Sequence, residues 1–289
     1  MVSVLEELGL PPLPEALPRP VIDNHTHVYS TRDYSGLSVE DNLRLAGEVG
    51  VTRMIDVGCD VESARLAVEL AASDPQVRAA VALHPNDAAR RFLAGGERAL
   101  EDDLAEIEVL VDHPGVVAVG ETGLDYFRTR DDEGRRAQER SFRAHIGWAH
   151  RSGKTLMIHD RDAHADILRV VDDEGVPGRM VMHCFSGDAA FAEQCVARGA
   201  FLSFPGVVTF GSAGALREAA VATPLDRILV ETDAPYLTPK PQRGKANAPY
   251  LLPHTVRFLA ELLDVELARF CDQIVANTFA AYGEWGSDA

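Results

Sequence analysis

The chain is poor in cysteine, poor in basic charge and without long apolar runs, and each shortage excludes a class of protein. Its 289 residues hold four cysteines, Cys59, Cys184, Cys195 and Cys271, far apart and with no CxxC pair. That spacing excludes a zinc knuckle and a disulfide framework, and fits thiols kept reduced in a cytoplasmic location. Lys and Arg total 28 against 45 Asp and Glu, a formal charge of −17. A broad basic surface for gripping nucleic acid is therefore excluded, and any polyanionic substrate must be met locally. No stretch approaches the roughly 18 consecutive apolar residues of a membrane span. The N-terminal MVSVLEELGLPPLPEALPRP has Glu6, Glu7 and five prolines where a secretory signal needs a basic start and an apolar core. There is no GxGxxG, no P-loop, no internal repeat and no low-complexity linker.

What is present is a rhythm of short apolar runs rich in Val, Ile and Leu: Val21 to Asp23, Thr52 to Val57, Val77 to Leu83, Val116 to Val119, Thr155 to Ile158, Met180 to Met182, Ala200 to Phe204 and Arg227 to Val230. Each has the length of a strand buried on both faces. Helical segments fall between them. Ser38 caps one that ends at Gly50, and others cover Asp60 to Ser73, Glu101 to Asp112, Ala137 to Ser152, His164 to Asp173, Asp188 to Gly199 and Leu216 to Ala220, with more helix from Leu251 to Tyr282. Eight strands alternating with helices predict a (β/α)8 TIM barrel over residues 21–289 after a proline-rich lead, 1–20; an open doubly wound sheet is the competing architecture.

Strand after strand ends in a side chain able to bind metal, and barrel active sites lie at the C-terminal ends of strands. The first runs into Asp23-Asn24-His25-Thr26-His27, where alternation points His25 and His27 the same way, with Asp23 of the same parity as a supporting group or core filler. An isolated HxH is as often a pair of hydrogen-bonded surface histidines. The fourth run leads to Glu121, the fifth ends at His159, the sixth at His183, and the eighth leads to Glu231 and Asp233, which share an inward face. By the same alternation Cys184 faces the helices. One histidine of this kind is more often a satisfied core residue than a ligand, but six convergent groups need one common explanation. Charges collected at a barrel mouth are costly unless they coordinate something. Candidate substrate contacts are His84 at the end of the third run, Arg161 after the fifth, Arg243 and Lys245 in the 239–249 loop, and Tyr126, which, like Phe127, offers a ring for stacking a terminal base; the alternatives are a His84 that only packs against Pro85, loop charges that are merely solvated and aromatics that pack the barrel mouth.

In order, DxHxH, GETGLDYF, IHDRDA, MHCFSG, ETDAPYL and RGKAN make the chain after the lead resemble the TatD family of metal-dependent deoxyribonucleases. The resemblance implies a barrel phosphodiesterase with two divalent cations, one held by His25, His27, Glu121 and Asp233, the other by Glu121, His159 and His183. It implies that Glu121 bridges them, that Asp233 activates the attacking water, and that Glu121 and Asp233 carry the catalysis. The expected substrate is DNA, single-stranded or at its ends and cut exonucleolytically; no membrane and no obligate protein partner is expected. Ala248 stands where many relatives have Glu, which bears on substrate choice more than on chemistry. Imidazole ligands favour Zn, Mn, Co or Ni, while carboxylates and phosphate chemistry admit Mg. The rival enzymatic reading is a small-molecule amidohydrolase or lactonase, and the rival outside enzymology is a binding scaffold.

Overall fold

The structure is a computed structural model that describes residues 3–284. Its strands are β1 (Val21–Thr26), β2 (Val51–Gly58), β3 (Val77–Val81), β4 (Val116–Asp125), β5 (Thr155–Arg161), β6 (Met180–Met182), β7 (Phe201–Phe204) and β8 (Ile228–Val230). They form one eight-stranded sheet in sequential order, with parallel pairing from β1 to β2 and from β3 through β7. The two ends of that order meet. Asn24 Nδ2 donates to the Val230 carbonyl at 2.9 Å, and the Asp233 amide donates to the His25 carbonyl at 2.9 Å. With α2 (Val28–Ser35), α3 (Val39–Glu48), α4 (Val61–Ser73), α5 (Pro85–Val111), α6 (Asp132–Ser152), α7 (His164–Glu174), α8 (Ala189–Ala197), α9 (Gly214–Ala222), α10 (Leu252–Leu262) and α11 (Leu267–Tyr282) between and after the strands, the fold is the expected (β/α)8 barrel. A four-residue helix, α1 (Val4–Glu7), precedes them.

The chain divides into two compact units. The first contains the chain up to Asp56, Gly187–Glu193 and Ser203–Ala280. Here the lead is tied down: Leu5 and Leu17 are buried, the Tyr250 hydroxyl donates to the Pro11 carbonyl at 2.8 Å, and the Arg257 guanidinium to the Ala16 carbonyl at 2.9 Å. Ser38 caps α3 by accepting from the Asp41 amide.

The second unit contains Val57–Ser186, Gln194–Leu202 and the chain from Ala281. Asp60 and Ser63 close a capping box on α4, and Gly58 lets that helix approach, since a Cβ there would stand 2.2 Å from Ala64 Cα. Two elements outrun the sequence expectation. The range Pro85–Val111 holds two helical stretches that meet at a non-helical Gly96, φ 71° and ψ −168°: the later one contains the helix expected at Glu101 to Asp112, and the earlier one, opened by proline in its first turn after the His84 cap, is an addition to that expectation. Similarly, β4 does not stop at Val119 but continues to Asp125. Its glycines are there for close approach: a Cβ at Gly120 would stand 2.4 Å from the Met157 Cβ, and one at Gly123 2.0 Å from the His159 carbonyl oxygen. One buried histidine is purely structural. His145 Nε2 accepts the Leu83 amide at 3.0 Å, and burial lowers its pKa to about 4, so the ring is neutral. Among the described residues no helix is long and apolar enough to cross a membrane.

Candidate metal centre

In the first unit, His25 lies in β1 and His27 directly after it, and the alternation of the strand brings their Nε2 atoms to 3.2 Å. Asp233 joins them from the segment after β8, with Oδ1 3.7 Å from His25 Nε2 and 3.5 Å from His27 Nε2. Its backbone is left-handed, φ 53°, a conformation that Asp adopts more readily than most residues. Buried groups fix this turn. Asp23 accepts from the Thr232 amide at 2.9 Å and the Thr232 hydroxyl at 2.6 Å, and Asn247 Nδ2 donates to the Thr232 carbonyl at 2.9 Å. Asp23 thus has the supporting role, and burial lifts its carboxyl to about pKa 7 despite those bonds. Two imidazole nitrogens and a carboxylate oxygen converging this closely make a donor set suited to one divalent cation.

In the second unit the centre is a carboxylate ringed by imidazoles. Glu121 Oε2 lies 3.0 Å from His159 Nδ1, 3.0 Å from His183 Nε2 and 3.7 Å from His84 Nε2, while the Cys59 thiol donates to Oε1 at 3.3 Å. Burial opposes ionisation of Glu121, yet the surrounding His183, His84 and His159 hold its carboxyl well below the usual range. Burial lowers His84 to about 3, leaving a neutral ring 4.6 Å from that of His159. His84, Glu121 and His159 offer ligand atoms close enough together to share an ion. Here too the donor chemistry, imidazole nitrogens beside an ionised carboxylate, fits a divalent cation.

Asp125 is a participant that the sequence reading passed over. Its Oδ2 lies 3.5 Å from His159 Nε2 and accepts from Asn86 Nδ2 at 2.8 Å, while Oδ1 accepts from the Arg128 amide at 2.8 Å. The signal was available: Glu121, Gly123 and Asp125 share one parity along β4, but only if the strand runs past its glycines. Cys59 was likewise read only as a reduced thiol, although it directly follows β2.

The remaining candidates lie outside these clusters. Arg161 ends β5, exposed, with its guanidinium 4.0 Å above the Phe127 ring. Tyr126 is half-buried; its hydroxyl donates to Asp166 at 2.9 Å and Arg135 covers its ring at 4.3 Å. Arg243 is exposed and stacks 4.3 Å over Phe210, and Lys245 is exposed while its carbonyl accepts from the Thr238 hydroxyl at 2.6 Å. For Cys184 the parity argument lapses, because β6 ends at Met182 and Cys184 turns to φ 44°.

Comparison with known proteins identifies similar chains. The family model described as "TatD related DNase" matches residues 22–283. An uncharacterized metal-dependent hydrolase TatD of Mycobacterium tuberculosis is 45% identical over 267 residues, covering 91% of this chain and 98% of its own. The uncharacterized metal-dependent hydrolase YabD of Bacillus subtilis is 35% identical, covering 83% and 91%. Among solved structures, the TatD homologue YjjV of Escherichia coli superposes with a TM-score of 0.82 at 26% identity, covering 91% of this chain and 98% of its own.

Proposed function

The chain belongs to the TatD family of metal-dependent hydrolases, and from that premise we propose that it is a deoxyribonuclease removing nucleotides from DNA ends. The observation that carries this reading is the pair of nitrogen-and-carboxylate clusters in the C-terminal halves of strands or just past them, His25, His27 and Asp233 in one unit and Glu121, His159 and His183 in the other. Each set would hold one divalent cation, Mg, Mn or Zn, and the family resemblance adds Glu121 as a shared ligand. When bound, such cations lower the pKa of water and stabilise charge on phosphoryl and leaving oxygens.

The chain's own groups do the rest. Asp233 takes the proton from the attacking water, its side chain being 13% exposed against 5% for Glu121 and so the more accessible of the two carboxylates. Asp23 and Asn247 hold the turn that aims it. Arg161, Arg243 and Lys245 meet substrate phosphates locally in a chain whose net charge of −17 otherwise repels them.

An amidohydrolase or lactonase reading is weaker. The dinuclear type built on a carbamylated lysine needs that lysine on the fourth strand, and the β4 residue that meets the imidazoles here is Glu121; Lys154 precedes β5, and its Nζ donates to the His113 carbonyl at 2.8 Å. A binding scaffold has no need of so many converging metal-ligand types. The test is release of mononucleotides from single-stranded DNA by the purified protein with Mg or Mn, its loss in excess chelator and its return on adding metal. Hydrolysis of lactones or amides with no attack on DNA would overturn the nuclease reading, and full activity in chelator would overturn metal dependence.

A further inference from the structure

Adjacent aromatic residues after β4 have opposite environments. Tyr126 is half-buried, its hydroxyl donating to Asp166 at 2.9 Å and the Arg135 guanidinium lying 4.3 Å from its ring. Phe127 has no polar side-chain atom and is 46% exposed, so its ring is open to a stacking partner. One neighbour is supplied: the Arg161 guanidinium at 4.0 Å.

Arg161 is itself unusual. Arg140, Arg143 and Arg169, on the helices before and after β5, are each paired with carboxylates. Among the described residues Arg161 makes no ion pair, so its charge remains available to an anion. The pair is also tied to the metal cluster through the sheet. Arg161 is the register partner of Asp125, whose carboxylate lies 3.5 Å from His159 Nε2, and along β5 Arg161 shares the parity of His159 one step nearer the C-terminal end.

We propose that Phe127 and Arg161 form a stacking platform for a base of single-stranded DNA, with the ring taking the base face and the guanidinium the adjoining phosphate. This deepens the nuclease reading and rests on it. Because every base has a π-face, the platform selects unpaired nucleotides over duplex without selecting sequence. Of the two adjacent rings, it assigns the stacking role to Phe127 rather than Tyr126.

The test separates binding from hydrolysis. Affinity for a phosphorothioate-protected single-stranded oligonucleotide is measured by fluorescence anisotropy with the metal-loaded protein, alongside the same strand lacking its terminal bases. Phe127→Ala should weaken binding to the normal strand by about 5- to 150-fold, the range that follows from stacking energies per base. It should leave the abasic strand unaffected, and Phe127→Trp should restore affinity. Arg161→Gln should weaken both strands and reduce the salt dependence. Equal losses on both strands in Phe127→Ala, or none, would overturn the platform. Failure of the parent protein to cleave any unprotected DNA would instead overturn the nuclease reading, whatever the binding result.

Discussion

The two metal-ligand clusters reach similar chemistry by different construction. In the first unit, two ligands come from one strand, two residues apart, and the third from a left-handed turn after β8. In the second, Glu121, His159 and His183 come from three strands, or the residue just past one, and meet only through the register of the sheet. The first depends on one turn being held by Asp23, Thr232 and Asn247; the second depends on β4 approaching β5 through Gly120 and Gly123. Acidity differs too. Glu121 is buried and kept ionised by imidazoles around it, whereas Asp233 retains contact with solvent. A buried carboxylate held by three rings is suited to ligation, and a partly exposed one beside two rings to moving a proton.

The largest expected effect breaks this contrast directly. Asp233→Asn keeps shape but removes charge and basicity, so kcat should fall by roughly 10²-fold or more while metal analysis shows one cation kept, because Glu121, His159 and His183 are unchanged. Glu121→Gln should lower metal content at both clusters if it is shared as the resemblance implies; retention of one cation per chain would confine it to the second. Near-parental kcat for Asp233→Asn at saturating metal would remove its assigned role.

Next is Asp125. If it orients His159, Asp125→Ala should weaken one cation by about 10- to 100-fold, the scale of losing a partner of a metal-binding histidine. Calorimetric titration with Mn or Zn would register this as loss at one of two sites, and an unchanged isotherm would reduce Asp125 to a bond holding the β4–α6 connection.

The smallest effect belongs to the outer loop. Replacing Arg243 and Lys245 together with Ala should raise KM for an oligonucleotide several-fold and leave kcat nearly unchanged, since groups that hold phosphate alike in ground and transition states affect binding alone. Steady-state kinetics at low salt would reveal it, and identical constants would return the loop to solvated charge.

The ease of reading the two clusters differs for the same reason that their construction does. His25 and His27 are legible because alternation is a local property of the chain, and His159 and His183 because each closes an unbroken apolar run. Asp125 was not legible, since Gly120 and Gly123 look like strand breakers in sequence and become contacts of β4 with β5 only in the fold. The earlier stretch of α5 was not legible either; it lies before Gly96, where the helix is interrupted.

By itself the sequence determined the alternation of strand and helix, the barrel it builds and the residues that end most strands in metal ligands, because periodicity and burial act over a few neighbouring positions. The tertiary structure decided what depends on register between distant strands: that Asp125 and Cys59 join the Glu121 cluster, that His84 sits against it, and that Phe127 rather than Tyr126 is left with an exposed ring beneath an arginine. Those distances are set by backbone pairing and close approach across the sheet, which no window along a single chain contains.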